Sequence, residues 1–260
     1  MAYLTIDGRT LHYRDVGAGR PLLLLHGFPL TGNSFWPQLD APPSGVRLLV
    51  PDHRGFGSSA PGPGITTMEA IAADALALLD ALEIATAVVG GVSMGGYAAM
   101  ALLRASPARV SSLVLIDTQC TADDEPGKAR REATAKDIEA NGMAAVAEAM
   151  LPKLLTAAAP DEVRRRVEAM IRSVDPKGAA AASRGMAARV DQKEILSRFA
   201  GRALVVVGEH DVITPPAKAK ELAALISGSV LVELKGAGHL ANLEQPQAFN
   251  TALGEFLAYG

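Results

Sequence analysis

Hydrophobic and polar positions alternate over Tyr3–Ile6 and again over Leu11–Asp15, with Asp7-Gly8 between them, which predicts a hairpin of two half-buried strands. Pro21–Leu25 and Val46–Val50 are instead continuous apolar runs, closed by His26-Gly27 and Pro51-Asp52. Runs of that length suit strands covered on both faces, as parallel sheets are. From Met68 the period lengthens: Met68, Ile71, Ala72, Ala75, Leu76, Leu79 and Leu82 recur at helical spacing. Thr66-Thr67-Met68-Glu69 just ahead has the form of a capping box, a threonine with a glutamate three residues on. The alternation then repeats, with a strand at Ala87–Gly90, a helix over 94–105 and a strand at Leu113–Ile116 ending on Asp117. It resumes late in the chain with a strand at Ala203–Val207, a helix over 215–226, a strand at Ser229–Leu234 and a helix over 245–258. Strands alternating with helices predict an α/β protein with a mostly parallel sheet.

Residues 120–199 break this rhythm. They are rich in Ala, Arg, Glu, Lys and Met, carry no strand pattern, and read as four or five short helices with stops at Gly142, Pro152, Pro160 and Pro176-Lys177-Gly178. The expected organisation is a core of residues 1–119 and 200–260 with a helical cap, 120–199, inserted in it. A cap at the carboxyl ends of parallel strands would lie over the place where α/β sheets bind ligands.

Composition narrows the function classes. In 260 residues, 25 basic and 28 acidic side chains give a net charge of −3, and 49% of residues are hydrophobic. That is a globular balance without the basic footprint that nucleic-acid binding needs. A single cysteine, Cys120, excludes an internal disulfide and fits a reducing compartment. Met1–Arg9 lacks the charged and apolar regions of a secretion signal, and no apolar run approaches the roughly 18 residues of a membrane span. A cytoplasmic protein without membrane association is expected. No Cys/His cluster has metal-ligand spacing, so neither a metal nor an organic cofactor is implied.

The chemistry begins at Gly91-Val92-Ser93-Met94-Gly95, a G-x-S-x-G pattern between a predicted strand and a predicted helix. Taken alone it fits a tight turn whose serine caps the helix. In the strand–turn–helix setting it fits a nucleophile elbow, where glycines leave room for a sharp turn that lifts the serine oxygen clear of the sheet. A serine hydroxyl needs a base. Of five histidines, His12 lies within an early strand and reads as a surface or sheet residue, whereas His239 sits in Gly236-Ala237-Gly238-His239-Leu240, directly after the last apolar strand. Asp211, in Gly208-Glu209-His210-Asp211, follows the strand before it and is the candidate partner for His239; Asp117, also at a strand end, competes for that role, and Glu209 is a weaker alternative. The order is therefore serine, acid, histidine, each at the end of a predicted strand.

Acyl transfer also needs two donors aimed at the developing oxyanion. Met94, after the nucleophile, supplies one amide. The loop His26-Gly27-Phe28-Pro29 supplies the other, and Phe28 is the choice because Pro29 has no N–H. His26 reads as a structural residue of that loop.

Together these motifs resemble the α/β-hydrolase fold enzymes. The resemblance spans nearly the whole chain: His26–Pro29, Asp52-His53-Arg54-Gly55-Phe56-Gly57-Ser58-Ser59, the elbow, Gly208–Asp211 and Gly238-His239. It implies an eight-stranded, mostly parallel sheet flanked by helices with an inserted helical cap. Within the family the chain looks most like small bacterial carboxylesterases and 3-oxoadipate enol-lactonase-like hydrolases. The loop from Asp52 to Ser59 is then mainly structural, His53 and Arg54 included. Ser93 at the elbow disfavours the carboxylate-nucleophile chemistries of dehalogenases and epoxide hydrolases. A single glycine, Gly27, in the oxyanion loop disfavours bulky alcohol esters.

The expected activity is hydrolysis of a small ester or lactone through a Ser93–His239–Asp211 acyl-enzyme. Enol-lactone opening, C–C bond hydrolysis and perhydrolysis are alternatives on the same site, and a ligand receptor of this fold is a rival of another class. Trp36, Met143, Met150, Met186 and Leu240 are the candidate substrate contacts, with Leu154 beside them; at helical spacing such residues also serve simply to pack a cap. Cys120 reads as a buried, unreactive thiol and Arg164-Arg165-Arg166 as a solvated helix face. Self-association of identical chains stays open.

Overall fold

The structure is a computed structural model that describes residues 2–258. The amino-terminal alternation becomes strands β1 (Ala2–Ile6) and β2 (Arg9–Gly17), paired antiparallel about the Asp7-Gly8 turn. The continuous apolar runs become β3 (Arg20–Leu25), β4 (Val46–Pro51), β5 (Ala87–Val92), β6 (Val110–Ile116) and β7 (Arg202–Gly208), and β8 (Val230–Leu234) closes the edge. These form one eight-stranded sheet in the order β1-β2-β4-β3-β5-β6-β7-β8. Only β2 runs against its neighbours; every pairing from β4 to β8 is parallel. Leu22–Leu25 are wholly buried and β5 is buried along its length, which is why these strands read as unbroken apolar runs. β8 leaves Val230 and Leu231 exposed at the edge.

Helices α1 (Trp36–Asp40), α2 (Met68–Ala81) and α3 (Met94–Ala105) alternate with the first strands. Five helices stand between β6 and β7: α4 (Glu125–Asn141), α5 (Met143–Leu154), α6 (Asp161–Ser173), α7 (Pro176–Ala187) and α8 (Lys193–Ser197). The chain ends with α9 (Pro216–Leu225), the short α10 (Ala241–Glu244) and α11 (Pro246–Ala258). Within the insert, Arg184 of α7 binds Glu132 and Glu139 of α4. Arg189 ties the insert to the core: it donates to Asp123 and lies 4.3 Å above the Tyr97 ring of α3.

Two local expectations are corrected. The helix cap is Thr67, whose hydroxyl accepts from Ala70 N, not Thr66; the one-residue shift puts Ala70 at the third helical position, and Glu69 pairs with Arg104 instead of closing a capping box. Pro152 lies inside the last turn of α5, and Pro160 and Pro176 start helices rather than stop them, as proline's fixed φ allows. Of the two readings of His12, surface or sheet, the second holds: it lies in β2, 4% exposed, with Nδ1 2.8 Å from Asp52 Oδ2. Arg166 is exposed, as expected of that helix face, and its guanidinium also stacks 4.1 Å from the Trp36 ring.

Candidate active site

β5 ends at Val92 and α3 begins at Met94, so one residue makes the whole reversal. Ser93 does so at φ +52°, ψ −112°, a conformation that costs a side-chain-bearing residue about 1–3 kcal/mol. Its surroundings hold it there: Ser93 N donates to Ile116 O at 2.9 Å, and Thr118 Oγ1 donates to Ser93 O at 2.8 Å. The elbow glycines are steric requirements, because a Cβ on Gly91 would strike the Gly95 backbone and one on Gly95 would strike the Leu25 carbonyl. Ser93 is half-buried, whereas its chain neighbours Val92 and Met94 are closed to water.

Asp211 follows β7 and caps its own turn. Its Oδ1 accepts from Ile213 N (2.8 Å) and Thr214 N (3.0 Å); its Oδ2 accepts from the Thr214 hydroxyl (2.7 Å) and from His239 Nδ1 (2.8 Å). Burial pushes the Asp211 carboxyl up, but the His239 hydrogen bond and charge, with the Thr214 contacts, outweigh it and hold it below its ordinary value. An ionised carboxylate only accepts, so Nδ1 of His239 carries the proton of that bond. His239 is 1% exposed.

Asp117, the competing acid, does not bond to His239. It sits at φ +45° at the end of β6, accepts from Gly208 N (2.8 Å) and Ala241 N (3.1 Å), and so staples the acid strand to the histidine loop. Full burial, then the nearby Asp211 charge, raise its carboxyl well above the usual range. Through Ala241 the histidine loop reaches back to the end of β6, the strand beside β5 and its Ser93. Among the described residues no hydrogen bond joins Ser93 Oγ to His239.

Met94 opens α3, so its amide has no carbonyl one turn back to receive it. The Phe28 amide has no protein acceptor among the described residues. The loop lies against the elbow, since a Cβ on Gly27 would stand 3.5 Å from Ser93 Cβ. His26 behind it uses both ring nitrogens: Nδ1 is 3.0 Å from Gly27 O, and Nε2 accepts from His53 N at 3.0 Å. Burial lowers the His26 pKa to about 4, and burial with His26 alongside holds His53 well below its usual value, so both are neutral struts. Burial likewise pushes the Cys120 thiol up to about 11.

A cavity of about 620 Å³ opens between core and insert, with Phe28, Tyr97 and Thr214 on the core side and Val146, Ala149 and Met150 on α5. Of the candidate substrate contacts, Met150 lines this cavity. Met143, Met186 and Leu240 are packed into the core cluster, as is Leu154, and Trp36 walls a different cleft beside Arg166. Sequence reasoning missed Thr214, whose hydroxyl also stands 3.3 Å from His239 Nδ1, and Glu244, which holds Gly238 N at 2.6 Å. The spacing Asp211-x-x-Thr214 is the signal that could have found the first. Nothing in the residues around Glu244 announces its partners. Among the described residues no group of three His, Cys, Asp or Glu side chains is placed to hold a metal, and no helix is long and apolar enough to cross a membrane.

A mostly parallel sheet that carries a strained serine between strand and helix, with a histidine–aspartate pair returning to the same edge, defines an α/β hydrolase. The profile of the alpha/beta hydrolase fold family matches residues 20–246, and the chain belongs to that family. It is similar to a thermophilic esterase from Thermogutta terrifontis, at 36% identity and a TM-score of 0.95, over 100% of this chain and 99% of that one. It is similar also to the enol-lactonase from Burkholderia xenovorans LB400, at 30% identity and a TM-score of 0.90, over 99% and 100% of the two chains. The 3-oxoadipate enol-lactonase 2 of Acinetobacter baylyi is 29% identical over 256 residues, 96% of this chain and 94% of the relative.

Proposed function

We propose that this protein is a serine hydrolase that cleaves small carboxylic esters by two-step acyl transfer. Ser93 attacks the ester carbonyl while His239 Nε2 takes its proton, and Asp211 orients the ring and stabilises the imidazolium. The amides of Phe28 and Met94 receive the oxyanion. His239 then protonates the leaving alcohol, and water repeats the sequence to free the acid. The observation that carries this reading is Ser93 at φ +52° on the sheet edge to which the 2.8 Å His239–Asp211 pair returns. The Ser93–His239 hydrogen bond forms as substrate is engaged, since such contacts are often long in unliganded enzymes.

The test is a serine-reactive phosphonate followed by peptide mapping, run beside a series of p-nitrophenyl esters of increasing acyl length. One adduct on Ser93 and turnover that peaks at short acyl chains are expected. An adduct on another residue overturns the assignment.

A second reading, lactone hydrolysis, is favoured by the charge on the cavity wall. Arg131 shares Asp123 with Arg189, whereas Arg130 and Lys153 line the cavity with no carboxylate partner among the described residues, against one lining carboxylate, Asp137, that is bound only by Asn141. Two unpaired cations suit a substrate that carries its own carboxylate, as the enol-lactone of 3-oxoadipate does. Turnover of that lactone against a neutral ester of equal size separates the two readings.

A further inference from the structure

Glu244 is a carboxylate, 8% exposed, that serves neither the elbow nor the oxyanion loop. Its Oε2 accepts from Gly238 N at 2.6 Å, the residue before His239. Its Oε1 accepts from both Thr156 N (2.8 Å) and the Thr156 hydroxyl (2.6 Å), two residues beyond the end of α5. On the other flank of His239, Leu240 N donates to Leu154 O at 3.1 Å. Both neighbours of the histidine are therefore pinned to one short segment, 154–156. That segment continues α5, whose Val146, Ala149, Met150 and Lys153 form a wall of the cavity. A buried carboxylate is a poor device for stability alone, because removing it from water costs more than an apolar side chain in its place. What it does supply is a fixed position for the three N–H and O–H groups that converge on it.

We propose that Glu244 is a positioning residue that couples the cavity wall to the histidine base, so that the placement of α5 over a bound substrate sets the placement of His239. This rests on the serine hydrolase reading for the role of His239. A substrate that seats α5 correctly keeps Gly238 and Leu240, and hence the ring between them, in reach of the Ser93 proton. A displacement of the segment 154–156 passes directly to both flanks of the ring. Thr156 itself takes no part in proton transfer and acts only through Glu244.

Two variants test this in the full chain. Glu244→Gln keeps the shape but replaces one acceptor oxygen with an NH₂, so that either Gly238 N–H or Thr156 faces a donor. Thr156→Val removes the hydroxyl alone. Steady-state hydrolysis of p-nitrophenyl acetate is measured for each and for the double variant, and the downfield proton of the His239–Asp211 hydrogen bond is followed by NMR without substrate. Glu244→Gln should lower kcat about 30- to 100-fold with KM within about threefold, and Thr156→Val should lower it about fivefold, as expected for a base displaced by a fraction of an ångström. The double variant should fall no further than Glu244→Gln, because both act along one path. The downfield resonance should broaden or move in Glu244→Gln. A kcat unchanged in Glu244→Gln, losses that multiply in the double variant, or a lowered kcat with an unmoved resonance each overturns the proposal. If Glu244→Gln does not fold, Thr156→Val decides: an unchanged kcat overturns the coupling. If the wild type hydrolyses no ester, the serine hydrolase reading fails, while the resonance still tests the link between Glu244 and His239.

Discussion

His239 Nδ1 lies 2.8 Å from Asp211 Oδ2, and that oxygen also accepts from the Thr214 hydroxyl at 2.7 Å. The carboxylate is thus held from both sides: two backbone amides fix Oδ1, and a hydroxyl and an imidazole fix Oδ2. Four donors on one buried acid fix the side of the ring that faces it, with the proton of the shared bond on Nδ1.

Asp211→Asn should be nearly isosteric and nearly inactive. Its amide oxygen would stay on the Ile213 and Thr214 amides, which turns the NH₂ toward His239 Nδ1 and forces the ring proton to Nε2. The ring then has no lone pair for the Ser93 proton. Loss of about 10³- to 10⁴-fold in kcat is expected, with KM little changed. Steady-state kinetics on a p-nitrophenyl ester check this, and a drop of less than tenfold removes Asp211 from its role.

Ser93 should show a trade of stability against activity. Ser93→Ala keeps the strained φ of +52° and should retain the fold while losing nearly all ester hydrolysis. Ser93→Gly also removes the nucleophile but relieves the strain, for a gain of about 1 kcal/mol after glycine's larger entropy loss. Thermal unfolding of the two variants side by side measures the difference; equal stabilities contradict the strain.

Acid should weaken the fold before it touches the carboxylates. His26 falls from an ordinary 6.5 to about 4, because the neutral ring is buried and its Nε2 must accept from His53 N. A depressed folded pKa means that the unfolded chain takes up the proton first, so the stability is present above about 6.5 and is lost as pH falls toward 4. For His26 alone the loss is about 2 kcal/mol between pH 7.5 and 5. Urea unfolding at both pH values reads it, and His26→Gln, which cannot titrate, should lose that share of the slope. A wild-type stability that does not change over this interval contradicts the assignment.

The sheet was legible because its strands are buried on both faces, so Leu22–Leu25 and β5 could not tolerate polar interruptions. The candidate triad was legible because each member closes a strand and the elbow needs glycine where Leu25 and Gly95 nearly touch. The cavity wall was not. Met143 and Met150 share one helix and one residue type, yet the first is buried in the core cluster and the second, packed against that cluster, also lines the cavity, a difference that residue type does not encode. Asp117 and Glu244 were equally opaque. Each acts through backbone amides, Asp117 at 208 and 241 and Glu244 at distant 156 as well as nearby 238, and amides carry no mark in a string of side chains.

The cations on the cavity wall should read substrate charge. Arg130 and Lys153 both line the cavity and neither is paired among the described residues, while Asp123 is already occupied by Arg131 and Arg189 and Asp137 is the one lining carboxylate without a cation. A carboxylate-bearing lactone would gain two favourable charge contacts that a neutral ester cannot make. Each contact at these exposed side chains is worth at most about 1 kcal/mol and weakens with salt. Replacing both residues with glutamine should therefore raise KM for an anionic lactone about 10- to 30-fold relative to KM for p-nitrophenyl acetate. Raising the ionic strength of the wild type from 0.01 M to 1 M should shift the same ratio in the same direction, since the Debye length shrinks from about 30 to 3 Å. A KM ratio indifferent to both salt and substitution removes the anionic lactone and leaves the neutral ester as the substrate class.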